Sequence, residues 1–194
     1  MKPKFDLLER KLSEIKKNNL LRTLQDSQIE KQYIRINKKK ILNFSSNDYL
    51  GIKPSTIKYS QFQSSSRLVS GNDESFTTLE KKLSKHKSQE KTIIYPTGYM
   101  ANLGVVSALA GKHDTIFSDE LNHASIVESC KLSGSKIKIF KHNDMDDLEK
   151  KIRKVKGKKF LVTEGIFSMD GDWSKLNEII EIAEKKELMS TLVV

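Results

Sequence analysis

The apolar positions of this chain change rhythm twice. From Phe5 to Gln25 they recur at roughly helical spacing, through Leu7, Leu8, Leu12, Ile15 and Leu20, which predicts an amphipathic helix serving as an arm rather than a core. Two short β-prone runs follow, Tyr33-Ile34-Arg35-Ile36 and Ile41-Leu42-Asn43-Phe44, and the Asn37-Lys38-Lys39-Lys40 between them suits the turn of a hairpin. Beyond a polar stretch around Ser64 to Ser70, the pattern predicts a helix near Glu74 to His86 and a strand at Thr92-Ile93-Ile94-Tyr95. A Pro96-Thr97-Gly98 turn then leads into an apolar helix through Ala101, Val105, Val106 and Leu109. Thereafter short apolar runs alternate with amphipathic ones. Strands are expected at Thr115 to Phe117, Lys136 to Phe140, Phe160 to Val162 and Thr191 to Val194, with helices near His123 to Leu132, Met145 to Lys154 and Leu176 to Lys186. That alternation implies βαβ units, so the expected fold class is α/β, with a mostly parallel sheet flanked by helices and right-handed crossovers. No internal repeat or low-complexity linker interrupts it, and the organisation expected is a helical arm and hairpin over residues 1–50 followed by one α/β domain over 51–194.

Composition narrows the class further. A chain of 194 residues with 37% hydrophobic and 31% charged residues suits a soluble globular protein. No window approaches the roughly eighteen uninterrupted apolar residues of a membrane helix. Acidic residues interrupt the apolar positions near the amino terminus, so neither a secretory signal nor a transit peptide is expected, and the cytoplasm is the expected location. The single cysteine, Cys130, forbids an internal disulfide and agrees with a reducing compartment.

The net charge of +10 raises the question of nucleic acid. Its lysines are dispersed, as in Lys150, Lys151, Arg153, Lys154 and Lys156 around Leu148, Ile152 and Val155, which is the pattern of a solvated helix face. No zinc-finger, RNP or KH signature accompanies them, and neither a nucleic-acid nor a membrane partner is expected. His86, His113, His123 and His142 lack metal-ligand spacing, and no metal is expected.

Candidate chemistry concentrates in segments that follow strands. Tyr95-Pro96-Thr97-Gly98-Tyr99 puts a glycine at the start of a helix, where free amides can receive a phosphate, although a plain tight turn has the same pattern. Asp119-Glu120-Leu121-Asn122-His123-Ala124-Ser125 places an imidazole at the carboxyl edge of the sheet. There it can stack on a planar cofactor and move protons, or simply begin the next helix. Thr163-Glu164-Gly165-Ile166-Phe167-Ser168-Met169-Asp170-Gly171-Asp172 offers glycine freedom, the Glu164 carboxylate and the Ser168 hydroxyl. The bland alternative is a turn in which Asp172 or Ser174 caps the next helix. Three polar loops at one sheet edge favour a shared pocket.

These segments, with Leu42-Asn43-Phe44-Ser45-Ser46-Asn47-Asp48-Tyr49-Leu50-Gly51 and Ser66-Arg67-Leu68-Val69-Ser70-Gly71-Asn72, make the chain resemble the α-oxoamine synthases. That family consists of fold-type-I transferases that use pyridoxal 5'-phosphate to condense an amino acid with an acyl thioester and release carbon dioxide. The resemblance implies cofactor contacts from Gly98, Tyr99, His123, Glu164 and Ser168, with His123 also the catalytic residue that stacks on the ring. It implies substrate contacts from Arg22 and Asn47, an amino acid and an acyl thioester as the molecules bound, and a homodimer as the working state. The Ser-Arg-Leu-Val-Ser-Gly-Asn stretch looks most like the branch that joins L-alanine to pimeloyl-CoA or pimeloyl-ACP in biotin synthesis. The glycine-acetylating and 5-aminolevulinate-forming branches are the close alternatives.

Two departures accompany the resemblance. Phe76 stands where the family usually has a histidine. Leu192-Val193-Val194 matches the strand that would lead into an Asp-Asp-Ala-His motif, so the pyridine-pairing aspartate and the Schiff-base lysine are not in this sequence. The expectation is a large domain truncated before its second half, a fragment or half of a split enzyme, with no turnover from residues 1–194 alone.

Overall fold

The computed structural model describes residues 3–21, 23–24, 26–46, 48, 50–51 and 65–193. The chain divides into two compact units, 1–61 and 62–194.

In the first unit, α1 spans Pro3–Lys17 and stops well before the expected Gln25. The cause is local. Asn19 adopts a left-handed φ of 56°, the Asn19 amide donates to the Lys16 carbonyl and the Leu20 amide reaches back to the Ile15 carbonyl, which together close a Schellman cap. The hairpin is extended to a three-stranded antiparallel meander of β1 (Ser27–Glu30), β2 (Tyr33–Ile36) and β3 (Lys39–Leu42). Asn37 and Lys38 both have positive φ, 48° and 66°, and form the two-residue turn that sets the Ile36–Lys39 register. The added strand β1 has one apolar residue, Ile29, and is held by the ladder to β2 and by Glu30, which pairs with both Arg35 and Lys40.

The second unit opens on a π-helical turn, Arg67–Gly71, followed by α2 (Glu74–His86), capped by Asp73, and α3 (Gly98–Leu109). The expected strand at Thr92–Tyr95 is extended chain outside any sheet. Its backbone groups are satisfied instead by side chains: Glu80 accepts from the Ile94 amide at 3.1 Å, and Arg67 donates to the Ile94 carbonyl at 3.2 Å. Arg67 also donates to Asn72 and Glu80, and its guanidinium lies over the Phe76 ring at 4.4 Å. Phe76 therefore packs as the floor of an arginine-centred corner.

The remaining elements alternate as β4 (Thr115–Asp119), α4 (Ala124–Leu132), β5 (Lys136–Phe140), α5 (Met145–Ile152), β6 (Lys159–Glu164), α6 (Leu176–Lys185) and β7 (Met189–Val193). The four strands are all parallel and ordered β5-β4-β6-β7. Buried residues alternate with period two along β4 and β6 and sort into two cores. Phe117 and Leu161 cluster with Phe140 of β5 and with Met145, Leu148, Ile152, Ile179 and Ile182, the apolar stripes of α5 and α6. Ile116, Phe160 and Val162 face Val106, Ala110, Ile126 and Cys130 of α3 and α4. The sheet is thus covered on both faces. Cys130 is fully buried here, and burial pushes its thiol up to about 11, so it is an inert packing residue.

The lysine-rich run behaves as its spacing implies. Leu148 and Ile152 are buried, while Lys151 pairs with Asp147 and Arg153 with Glu149 on the outer face of α5. Among the described residues no helix is long and apolar enough to cross a membrane.

Candidate active site

The chain leaves β4 toward β5 on one side and returns to place β6 on the other, so the strand order reverses between β4 and β6. In open parallel sheets this switch point, outside the carboxyl ends of the strands, is where ligands bind. Both loops that emerge there bear residues singled out in the sequence.

Asn122 bridges the two strand ends. Its buried side-chain amide donates to the Val162 carbonyl at 2.8 Å and to Ser118 Oγ at 2.9 Å. His123 follows as the N-cap of α4 and is exposed, with Nδ1 accepting from the Ser125 amide at 3.1 Å. Ser125 Oγ lies 2.7 Å from the same Nδ1 and itself accepts from Asn102 Nδ2 at 2.8 Å. Because the Ser125 amide can only donate, Nδ1 is an acceptor and the ring proton of the neutral imidazole resides on Nε2. His123 is therefore both the helix-start residue and an oriented imidazole. The two readings of it are compatible.

Asn102 lies on the second turn of α3, so the chain Asn102–Ser125–His123 ties the start of α3 to the β4 loop. Thr97 caps α3 through its hydroxyl, which accepts from the Met100 amide at 3.1 Å, and the Ala101 amide donates to the Thr97 carbonyl. The amides of Gly98 and Tyr99 are then the first of the helix and have no intrahelical acceptor. Both residues are exposed, and a Cβ built on Gly98 would meet nothing within 4 Å.

The loop after β6 is a closed turn. Ile166 bridges Trp173, the Phe167 amide donates to the Asp172 carbonyl at 3.0 Å, and the Ser174 amide donates to the Gly165 carbonyl at 3.1 Å. Gly171 supplies the left-handed φ of 73° that the tight return requires. Phe167 anchors the turn in the interior and leaves Ser168 exposed at its tip. Glu164 is directed at the neighbouring loop, its carboxylate accepting from the His123 backbone amide. Asp172 and Ser174 do not cap α6, whose N-cap is Lys175 without a side-chain bond. Arg22 and Asn47 lie outside the described residues.

Sequence reasoning missed His142. From the loop after β5 its Nδ1 reaches Asp119 at 2.9 Å and its Nε2 reaches Asp172 at 2.8 Å, with the ring edge-on to Phe167 at 4.4 Å between centroids. Burial draws its pKa down, but hydrogen bonds to the two carboxylates outweigh this and leave it raised above the ordinary histidine value. Spacing along the chain gave no signal, because the three residues meet only through the parallel register of β5, β4 and β6.

These loops put the candidate site of the second unit at the switch point of its parallel sheet. Residues 39–194 match the family model for aminotransferase class I and II, and the chain belongs to that family of pyridoxal-phosphate enzymes. It is 40% identical to a putative 8-amino-7-oxononanoate synthase of Thermodesulfovibrio yellowstonii, over 93% of this chain and 50% of that protein. It is likewise 40% identical to the 8-amino-7-oxononanoate synthase of Thermoanaerobacter pseudethanolicus, over 93% of this chain and 49% of the relative. Its fold matches Sphingomonas wittichii serine palmitoyltransferase with a TM-score of 0.81 and 29% identity, covering 98% of this chain and 51% of that one. The chain spans about half the length of the curated relatives it matches.

Proposed function

We propose that this chain provides the phosphate seat and one wall of the ring pocket in an α-oxoamine synthase. The reaction proposed for the enzyme built on it is the decarboxylative condensation of L-alanine with a pimeloyl thioester, pimeloyl-CoA or pimeloyl-ACP. Its products are 8-amino-7-oxononanoate, carbon dioxide and the free thiol. The substrate choice rests on the names of the curated relatives at 40% identity. The likeness to a serine palmitoyltransferase supports the reaction type and a different acyl and amino-acid pair. The site is taken to be cytoplasmic and shared between two subunits of a homodimer.

The observation that carries the reading is the Asn102–Ser125–His123 chain, which joins the open amides of α3 to the exposed imidazole. The residues fit pyridoxal phosphate on their own chemistry. A dianionic phosphate suits the Gly98 and Tyr99 amides at a helix N-terminus, where no side chain fills the space above Gly98. Asn122 Oδ1 and Thr163 Oγ1, buried beside the two loops without a hydrogen-bond partner, are polar groups that a bound ligand or water would satisfy.

When bound, the cofactor supplies the electron sink that loss of a proton and of carbon dioxide at the amino-acid carbon requires. His123, held by Ser125 with Nε2–H outward, offers a flat face to the ring and a donor toward the substrate. Glu164 fixes that imidazole through the His123 amide, and Ser168 places a hydroxyl on the opposing loop. Residues 1–194 alone are expected to bind pyridoxal phosphate without turnover. Incubation of the chain with pyridoxal phosphate, L-alanine and pimeloyl-CoA, with and without the remaining half of a relative, tests this. Aminoketone formed only with the complementing half is expected, and failure to form it while the pair still binds cofactor would overturn the substrate assignment.

A further inference from the structure

We propose that His142 is a positioning residue that sets the spacing between the His123 loop and the Ser168 loop, and so the width of the ring pocket. This rests on the cofactor reading above.

β5, β4 and β6 are neighbours in the sheet, and His142 emerges from β5, the outer of the three. To touch Asp172 in the loop after β6 it must cross the carboxyl end of β4, and in crossing it bonds Asp119, the last residue of that strand. One side chain thus joins three consecutive βα connections. Asp119 is 2% exposed and fully engaged: Oδ1 accepts from the Leu121 amide at 2.9 Å and Oδ2 from the Asn143 amide at 3.1 Å. Leu121 and Asn122 lead directly to His123. On the other side, Asp172 closes the Phe167 turn, since its carbonyl accepts the Phe167 amide. Phe167 precedes Ser168. The bracket therefore ends one or two residues from each group assigned to the ring pocket, yet touches neither.

Only the imidazolium can donate from both ring nitrogens at once. The charged groups around it are Asp119, Asp172 and Glu120, whose carboxylate accepts the His142 backbone amide at 2.8 Å. Among the described residues no cation bonds the ring, and Asn143 Nδ2 shares Asp172 with it. Loss of the proton from Nε2 leaves an acceptor to which Asn143 Nδ2, 3.2 Å away, can donate, but which can no longer bond the Asp172 carboxylate. The exposed partner, Asp172, is the one to be released, because Asn143 and water can replace the imidazole there, whereas Asp119 is sealed in. Asp172 Oδ1 is buried without a partner among the described residues, so the side-chain tie from this turn to His142 and Asn143 runs through Oδ2 alone. The sign follows from a raised folded value. The bracket is complete below the ordinary histidine pKa and is lost as pH rises through the raised one.

The test is made on the full chain as wild type, His142→Asn and Asp172→Asn. Asparagine at 142 can still donate to Asp119 but cannot reach Asp172. Amide hydrogen exchange of residues 166–173, corrected for the intrinsic pH dependence, is followed without cofactor, and pyridoxal 5'-phosphate binding is titrated over the same pH range. In the wild type, exchange and dissociation constant should both rise roughly tenfold with increasing pH, the effect of one charge-assisted hydrogen bond. His142→Asn should be elevated at low pH already and lose the step. Asp172→Asn, changed at a half-exposed position, should also flatten the profile and decides the question if His142→Asn does not fold. A wild-type profile without a step, or a step that survives in Asp172→Asn, overturns the proposal. Absence of cofactor binding together with a clear exchange step would instead refute the cofactor reading and leave the bracket standing.

Discussion

Asn122 Nδ2 lies 2.8 Å from the carbonyl oxygen of Val162, and this contact closes the gap between the ends of β4 and β6 where the strand order reverses. A side chain replaces a ladder bond at the point where the candidate site opens. Asn122→Ala removes a buried donor to two acceptors, Val162 O and Ser118 Oγ, and is expected to lower stability by about 1–3 kcal/mol. Urea denaturation checks this, with an unchanged m-value expected because the fold is retained.

Ser125 determines which face of His123 is presented. Ser125→Ala keeps the backbone cap but deletes the hydroxyl that links His123 to Asn102. Pyridoxal phosphate should bind roughly three- to tenfold more weakly, with a loss of stability of about 1–3 kcal/mol, as a buried hydroxyl that bonds both Asn102 and His123 is removed. Equal affinity would mean the imidazole is oriented without Ser125.

Arg67 and Glu80 are expected to act as a unit. The Glu80 carboxyl is held below the usual range by the Ile94 amide first and by Arg67 second, so their contribution is present above the ordinary glutamate value and fades as pH falls through the lowered one. Arg67→Lys should destabilise although charge is kept, since a lysine cannot bond Asn72, Glu80 and Ile94 together while covering Phe76. A double-mutant cycle with Glu80→Gln, measured at neutral and acidic pH, should show coupling only at the former.

Much of this architecture was legible in the alternation of apolar runs. Glu74–His86 and Lys136–Phe140 begin and end where the sequence pattern places them, the first with Asp73 as a local N-cap and the second as a short run of alternating apolar residues. Thr92–Tyr95 was misread for a physical reason. Its β-branched run looks like a strand, but Glu80 and Arg67 satisfy the backbone from positions that local pattern does not reveal. β1 was invisible because its stability comes from pairing rather than from apolar content. At the site, the residues after strands were readable as a group, whereas the Asp119–His142–Asp172 contact required the sheet register.

Phe117 tests the two-faced core. It is completely buried between β4 and the helices α5 and α6, and Phe117→Ala should cost about 3–5 kcal/mol. Thermal unfolding of Phe117→Ala against Phe117→Leu separates the cavity from a general loss of apolar area, with the leucine variant expected to recover most of the difference.

The central claim is that α3 and the two switch-point loops form one pyridoxal-phosphate pocket. The direct measurement is a titration of the isotope-labelled chain with pyridoxal 5'-phosphate, followed by backbone amide chemical shifts. Concerted, saturable shifts are expected at Gly98, Tyr99, Asn122 to Ser125 and Gly165 to Ser168. Shifts confined to lysine-bearing surface segments, with these residues unmoved, would contradict it.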